Sequence, residues 1–271
     1  MKLDVTKGKS SLSIGYRSPG LSKDLDPAAK MALCKELGMS VIEPQINPRE
    51  FPDLESARNY RRAADEADIE IPSAGTFLDH SIPGADLDEE TKNILEIASI
   101  LKVPYLFTLV QHPPEGIPHQ ESWDLTLNNL KNFSKRADDA GFKVALEPEW
   151  FLGSFERVMR MIEEVDHHNF EYINFDATNF FLNGSSPCEI LEKAGNRISH
   201  GHIKDGFYRT QQRGEAPVGE GEVPWPEIFE TLAGMEGHRY LQIEHCGTAE
   251  KVRAAAKAVV SFLEAGGWQE S

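Results

Sequence analysis

Four strand-like segments in the second half of the chain each end in a side chain that can bind a metal ion. They are Val144 to Glu147, Ile173 to Asp176, Ser199 to His202 and Leu241 to Glu244. Because successive side chains of a strand point to opposite faces, each segment places apolar residues on one face and its terminal acid or imidazole on the other. A sheet with one wet face gives the same alternation in a single segment. The repeated polar ending is therefore the informative feature.

Three carboxylates and one imidazole predict a divalent metal ion if the four strand ends meet. Glu147, Asp176 and Glu244 would repel one another inside a fold unless a cation or protons neutralised them. Together with His202 they form an oxygen-rich ligand set. Such a set favours Mn²⁺ or Mg²⁺, with Co²⁺ and Zn²⁺ as alternatives, because softer metals prefer thiolates. We therefore predict one divalent metal ion, with Mn²⁺ as the first choice. Any one of the carboxylates alone would be better explained as a surface residue.

Strand and helix signals alternate along the whole chain. The predicted strands span 12–16, 41–43, 69–74, 105–110, 144–147, 173–176, 199–202 and 241–244. The predicted helices span 27–37, 54–67, 89–101, 123–140, 155–165, 188–194, 226–232 and 249–265. Two junctions also repeat, since Glu43-Pro44 and Glu147-Pro148 both follow a glycine helix stop and a short strand.

About eight βα units without a linker predict one domain over residues 1–271, an α/β fold closed as a single (β/α)₈ TIM barrel. An open doubly wound sheet is the alternative, but no Gly-x-Gly-x-x-Gly turn follows an early strand. In a barrel the polar face of each strand points inward. Glu147, Asp176, His202 and Glu244 would then converge at the C-terminal mouth, where barrel enzymes place their chemistry.

The composition and net charge of the chain argue against several classes of binding partner. The net charge is −16, and no Lys/Arg block offers a footprint for phosphates, which argues against nucleic acid and anionic membranes. The three cysteines lack metal-type spacing, and the N-terminus lacks an apolar signal core. We expect a cytoplasmic protein with reduced thiols and a small-molecule partner.

The run Ser199 to Asp205, the segment Val218 to Trp225 and the strand ending in Glu244 resemble the xylose isomerase-like barrels. The resemblance is greatest to ketose 3-epimerases, hydroxypyruvate isomerases and related sugar isomerases. In that family a glutamate, an aspartate, a histidine and a glutamate after strands five to eight bind one divalent metal. The resemblance implies the same role here for the four strand-end residues.

The resemblance also implies an isomerase or epimerase of carbohydrate metabolism that transfers a proton through an enediolate. A metal that binds the carbonyl and adjacent hydroxyl oxygens of a ketose, aldose or keto-polyol acidifies the carbon-bound proton between them. Glu147 and Glu244 would be the acid/base pair, one removing the proton and the other returning it. Asp176 and His202 would be plain ligands.

Further residues near the predicted strand exits are candidates for substrate binding. They are Asn179, His200, Lys204, Glu149, Trp150 and Arg213. His200 faces the same interior as the metal ligands, two residues deeper. Lys204 and Arg213 lie in the glycine-containing loop after the seventh strand and could bind a carboxylate or phosphate of the substrate, although flexible surface charge explains them at least as well.

Several alternatives remain at this level. Asn179 stands where the epimerases have a histidine, which leaves a metal-dependent lyase on the same scaffold as the main rival, either an inosose or dehydroshikimate dehydratase or a carbon-glycoside-cleaving enzyme. A three-zinc relative of endonuclease IV is disfavoured by Asn179 and the acidic charge, although His80 and His112 follow strands three and four. A non-catalytic sugar-binding or interaction subunit is the alternative of another class. A homo-oligomer is expected only because relatives often assemble.

Overall fold

The structure is a computed structural model that describes residues 1–21, 25–81, 87–113, 115–208 and 214–271. Its strands are β1 (Asp4–Lys7), β2 (Ser10–Arg17), β3 (Ile42–Glu43), β4 (Gln45–Ile46), β5 (Ser73–Thr76), β6 (Tyr105–Thr108), β7 (Lys143–Leu146), β8 (Tyr172–Asp176), β9 (Ile198–Ile203), β10 (Asp205–Phe207), β11 (Gly214–Ala216), β12 (Gly237–Ile243) and β13 (Gln269–Glu270). Its α-helices are α1 (Pro27–Glu36), α2 (Leu54–Ala67), α3 (Leu87–Leu101), α4 (His119–Asp139), α5 (Phe155–Val165), α6 (Ala177–Leu182), α7 (Pro187–Ala194), α8 (Trp225–Ala233) and α9 (Ala249–Ala265).

The parallel strands form the barrel that the alternation predicted. Strand β2 pairs with β12 on one side and with β3 on the other. Strands β3 and β4 are two halves of one barrel strand that is interrupted at Pro44, and β4 pairs with β5. From β5 the ladder continues through β6, β7, β8 and β9 back to β12. The fold is a TIM barrel, and the C-terminal ends of its strands share one mouth.

Side-chain alternation divides each strand between the barrel interior and the layer under the helices. The apolar side chains predicted to pack outward are all buried: Val144, Leu146, Ile173, Phe175, Ile203, Leu241 and Ile243. Burying such side chains stabilises the fold by about 1.5–3 kcal/mol each. The inward set is polar, as shown by Asn174, whose amide lies 3.2 Å from His202 Nε2. The apolar layer therefore holds the strands while the interior stays available for chemistry.

Local capping explains where several helices begin. Asp53 starts α2 with a capping box, since its carboxylate accepts the backbone N–H of Ser56. Ser154 caps α5 and Thr248 caps α9 in the same way. These sequence-readable caps lie in loops at the barrel mouth, so they also fix the strand exits near the site.

The prediction for the third barrel strand was wrong in its bounds. Residues 69–74 were expected, but the strand is Ser73–Thr76. Ile69 and Ile71 are buried apolar residues, as in a strand, yet only Glu70 forms a bridge there, with Val41. The pairing of Gln45 with Gly75 sets the register, and that long-range contact is invisible in the local pattern.

Several elements were not predicted. The short helix α6 follows β8 directly, and β10 and β11 form an antiparallel hairpin after β9. Strands β1 and β13 extend the sheet by antiparallel pairing at one edge. Among the described residues, no helix combines the length and the apolar character needed to cross a bilayer.

Candidate functional site

Glu147, Asp176, His202 and Glu244 meet at the barrel mouth. His202 Nδ1 lies 3.0 Å from Glu147 Oε1, 3.4 Å from Glu244 Oε2 and 3.8 Å from Asp176 Oδ2. One ligand atom from each of the four residues lies within 4.8 Å of all the others. All four side chains are buried. The structure thus brings together the four residues that the strand endings singled out, which we call the ligand cluster.

Backbone register positions the cluster. The Glu147 N–H donates to Thr108 O, and the Glu244 N–H donates to Ile203 O. Each glutamate therefore extends the hydrogen-bonded ladder by one residue beyond the end of its strand. Asp176 ends β8 and caps α6, since its Oδ1 accepts the backbone N–H of Asn179 at 2.7 Å. That bond fixes the carboxylate and leaves Oδ2 directed at the cluster.

Three buried carboxylate oxygens accept no hydrogen bond of good geometry among the described residues. They are Glu147 Oε2, Asp176 Oδ2 and Glu244 Oε2, and the Lys204 ammonium lies near the last two. Buried carboxylate oxygens that lack hydrogen bonds are costly, and a divalent cation between the three would lower that cost. Three carboxylates and one imidazole also suit a divalent ion of intermediate hardness. The residues present therefore fit a divalent metal.

A second group, Asp138, His167 and His168, also has ligand atoms within 4.8 Å of one another. It differs from the ligand cluster in being partly exposed. Asp138 lies in the last turn of α4 and the two histidines follow α5, so the group lies at the opposite end of the barrel from the mouth.

Glu43 and Arg17 belong to the site but were not among the predicted site residues. His202 Nε2 lies 2.9 Å from Glu43 Oε1, so Glu43 holds the ring nitrogen that points away from Glu147. A carboxylate in this position orients a metal-binding imidazole and raises its basicity. The repeated Glu-Pro at residues 43–44 and 147–148 was the signal that could have found it.

Arg17 is the last residue of β2 and its side chain is nearly buried. It donates to Glu244 and Gln45, and its Nε lies 2.9 Å from Glu43 Oε1. Its guanidinium also lies 5.0 Å from the ring centre of Phe107. Arg17 therefore neutralises and orients two of the acids at the mouth. Glu147 was identified because it ends a predicted strand. Arg17 directly follows the predicted strand 12–16, so the same pattern would have identified it if that strand had been extended by one residue.

Lys204 lies inside the site, in contact with the ligand cluster. Its Nζ is 3.0 Å from Asp176 Oδ2 and 3.3 Å from Glu244 Oε2, and the side chain is buried. Burial lowers the pKa of Lys204, but Asp176 and Glu244 oppose this and raise it well above its ordinary value. Lys204 is therefore charged, and in this structure its charge faces two acids of the cluster.

Glu149 and His200 occupy positions beside the cluster. Burial, and then the charge of Glu147, raise the pKa of Glu149 to about 7. His200 Nδ1 lies 2.7 Å from Ser199 Oγ, its ring packs 5.3 Å from that of Phe107, and burial lowers its pKa to about 4. His200 is thus neutral and contacts an aromatic wall, while Glu149 exchanges protons near neutral pH.

The remaining predicted substrate residues are only partly described. Asn179 is buried, and its side-chain nitrogen has no partner among the described residues. The side chain of Trp150 and the whole of Arg213 lie outside the described part of the chain. His80 is not part of the ligand cluster: its Nε2 contacts Thr108 Oγ1 at 3.0 Å, and burial lowers its pKa to about 3.

The hairpin after β9 is held by one buried carboxylate. Asp205 accepts the backbone N–H groups of Gly206, Gly219, Gly221 and Val223 at 2.8–3.1 Å. A β-carbon at position 221 would overlap the Asp205 carboxylate, which explains why glycine stands there. The described residues 205–208 and 214–221 are therefore anchored beside Lys204 at the mouth.

Metal binding should release a proton from His202. Burial lowers its pKa, but Glu244, Glu147 and Glu43 together raise it well above the ordinary value. Without metal the imidazole is therefore charged at pH 7. The charged imidazole contributes its full stabilisation of the fold below the ordinary histidine pKa. This stabilisation is lost as the pH rises through the raised pKa of the folded protein.

We expect Mn²⁺ binding at pH 7 to release about one proton, with an apparent affinity that falls about tenfold per pH unit on acidification. Calorimetric titration in buffers of different ionisation enthalpy measures the number of protons released. Heats that do not depend on the buffer would contradict this.

A family model that matches most of the chain shows to which protein family it belongs. Residues 31–265 match the model described as xylose isomerase-like TIM barrel. The chain belongs to this family. Among curated proteins, an inosose dehydratase from Clostridium botulinum (strain Alaska E43 / Type E3) is 28% identical over 143 residues, which are 46% of this chain and 48% of that protein. The match thus spans about half the length of each protein.

Similar solved structures have the same fold. The IOLI protein, solved with a bound zinc atom, superposes with a TM-score of 0.76 at 18% identity over 93% of this chain and 98% of that chain. A D-tagatose 3-epimerase-like protein superposes with a TM-score of 0.76 at 18% identity, over 94% of this chain and 98% of that chain. At these identities the likeness concerns the fold alone.

Proposed function

We propose that this protein is a divalent-metal-dependent lyase that removes the proton next to a ketone of a cyclic polyol or sugar and then eliminates water. The observation behind the proposal is the buried ligand cluster, in which two glutamates share a site with Asp176 and His202. The curated relative named inosose dehydratase supports elimination over isomerisation, because a dehydratase removes water from its substrate. Its name also supports a keto-polyol substrate, because an inosose is a keto-polyol. The proposal thus prefers the lyase to the isomerase that the resemblance put first.

The metal would be held by Glu147, Asp176, His202 and Glu244, and when bound it would polarise the ketone and acidify the adjacent carbon-bound proton. The structurally similar IOLI protein was solved with a bound zinc atom, which supports a metal ion in a barrel of this fold. The oxygen-rich ligand set keeps Mn²⁺ as the first choice for this chain, with Mg²⁺, Co²⁺ and Zn²⁺ as alternatives.

The chain's own residues supply the proton transfers. Glu147 or Glu244 accepts the proton from carbon, the electron pair forms a carbon–carbon double bond, and the carbon–oxygen bond of the β-hydroxyl breaks. Glu149, whose pKa of about 7 leaves it partly protonated at neutral pH, donates the proton that turns the departing hydroxide into water. Lys204 offsets the negative charge of Asp176 and Glu244 throughout.

Isomerisation or epimerisation is the second candidate. Glu147 and Glu244 both lie within 3.4 Å of the His202 imidazole, so two carboxylates are available to take and return one proton. Such an acid/base pair would serve a sugar isomerase. Asn179, which cannot act as an acid, and the protonatable Glu149 favour the lyase.

The test incubates Mn²⁺-loaded protein in D₂O with keto-inositols, ketoses and aldoses, and follows substrates and products by NMR and mass spectrometry. The proposal predicts loss of water together with exchange of one carbon-bound hydrogen. Exchange with a rearranged but undehydrated product would favour the isomerase. Metal binding without exchange on any substrate would refute both enzymatic proposals and favour a sugar-binding subunit.

A further inference from the structure

A cavity of 540 Å³ opens beside the ligand cluster. Its inner end is formed by Lys204 and Glu244, and it extends outward between the β10–β11 hairpin and helix α9. We call it the side cavity. It is continuous with the site at the barrel mouth, yet none of the proton-transfer steps requires it.

Part of the wall of the side cavity is apolar and made of small side chains. They are Ala216, Pro217, Val218, Ala254, Ala255 and Ala258. Small apolar residues leave room for a flat or bulky apolar group and offer few partners to hydroxyls. A free polyol, which needs a hydrogen bond for each hydroxyl, would leave most of this wall unused.

The charged groups of the side cavity do not select an anion. Asp205 is satisfied by four backbone N–H groups, and Glu215 Oε1 contacts His245 Nδ1 at 2.5 Å. Lys204 faces Asp176 and Glu244. The remaining charges, Glu220, Lys251 and Lys257, are exposed and of both signs. Charge thus favours a neutral occupant over a phosphate or carboxylate.

The side cavity is also built with some strain. His245 adopts φ 57°, a left-handed conformation that is unfavourable for a residue other than glycine. This conformation places its ring against Glu215 and ties the β12–α9 turn to the hairpin. At the other contact, a β-carbon on Gly219 would lie 3.2 Å from Ala258 Cβ, so hairpin and helix nearly touch there. The two contacts hold the hairpin and α9 at the spacing that leaves the cavity open.

We propose that the substrate is a keto-sugar glycoside, with the sugar ring over the ligand cluster and a neutral, planar apolar aglycone in the side cavity. Pockets of about 300–1,000 Å³ bury most of the surface of a drug-sized ligand, so the side cavity has room for a substituent in addition to the sugar. This inference rests on the proposed function for the position of the sugar, and it adds the class of substituent that the substrate bears.

Calorimetric binding of two probes to the Mn²⁺-loaded protein tests the inference: the phenyl and the methyl glycoside of the same keto-hexose. We expect the phenyl glycoside to bind at least about tenfold more tightly, since burial of an aromatic ring is favourable. Ala258→Phe should remove this preference and leave methyl glycoside binding unchanged, because it fills the cavity without reaching the cluster. Ala265→Phe, at an exposed position at the end of the same helix, should keep the preference.

Equal binding of the two glycosides, no measurable binding of the phenyl glycoside, or a preference that survives Ala258→Phe would overturn the inference. If Ala258→Phe fails to fold, Ala254→Phe fills the cavity from an exposed position of α9 and takes its place. The proposed function stands or falls separately, on hydrogen exchange and water loss with methyl glycosides and unsubstituted keto-polyols.

Discussion

Glu147→Gln and Glu244→Gln should each lower the rate of carbon-bound hydrogen exchange in D₂O by at least about a thousandfold. Glutamine keeps the size and one oxygen ligand of glutamate but cannot accept a proton, and general base catalysis is typically worth about 10²–10⁴ in rate. Loss of a carboxylate from the ligand cluster also weakens the metal site, which adds to the effect. Exchange rates measured by NMR, with metal content determined on the same samples, check this result.

Glu163→Gln provides the matched control. Glu163 is exposed on α5 and outside the ligand cluster, so its substitution should leave the exchange rate unchanged. Exchange at the wild-type rate in both Glu147→Gln and Glu244→Gln, with metal still bound, would rule out the two-glutamate mechanism.

Arg17→Met should lower the thermal midpoint of the metal-free protein by roughly 10 °C. Breaking a buried ion pair from one side costs about 3–5 kcal/mol because the partner charge stays buried, and a protein of this size loses about 2–4 °C per kcal/mol. Here two partners, Glu43 and Glu244, lose their shared cation. Differential scanning calorimetry measures the midpoint with and without Mn²⁺.

Bound Mn²⁺ should reduce the fall in the thermal midpoint caused by Arg17→Met, because the metal neutralises Glu244, which contacts Arg17 directly. The control is Arg58→Met, which removes an exposed pair with Glu55 at 3.3 Å and should change stability by no more than about 0.5 kcal/mol. A midpoint for Arg17→Met within a degree or two of that control would show that Arg17 does not hold the acids of the mouth.

Local signals were enough to predict much of the fold. Helices α2, α5 and α9 have the predicted bounds, Leu54–Ala67, Phe155–Val165 and Ala249–Ala265, because an apolar stripe and a side-chain cap define each of them. The third barrel strand was misplaced because its register depends on β4, which is distant in sequence. The β10–β11 hairpin was missed because its stability comes from Asp205 and backbone groups.

The candidate site was predictable where a side chain is placed by the end of a strand. Glu147, Asp176, His202 and Glu244 follow from alternation alone, and the structure brings them together. The roles of Arg17 and Glu43 depend on pairing across the barrel, which one strand does not reveal. The side cavity lies between α9 and a hairpin that was not predicted, so no sequence pattern indicated it.

The central claim is that the ligand cluster binds one divalent metal ion at the barrel mouth, and metal titration tests it most directly. Chelator-treated wild-type protein should bind Mn²⁺ at one site per chain, with a stabilisation of about 2.7 kcal/mol at a metal concentration a hundred times Kd. Asp138→Asn, in the partly exposed group at the other end of the barrel, should bind the same single ion. His202→Ala should lose it. Wild-type protein that binds no divalent metal, or His202→Ala protein that binds it with unchanged affinity, would contradict the account.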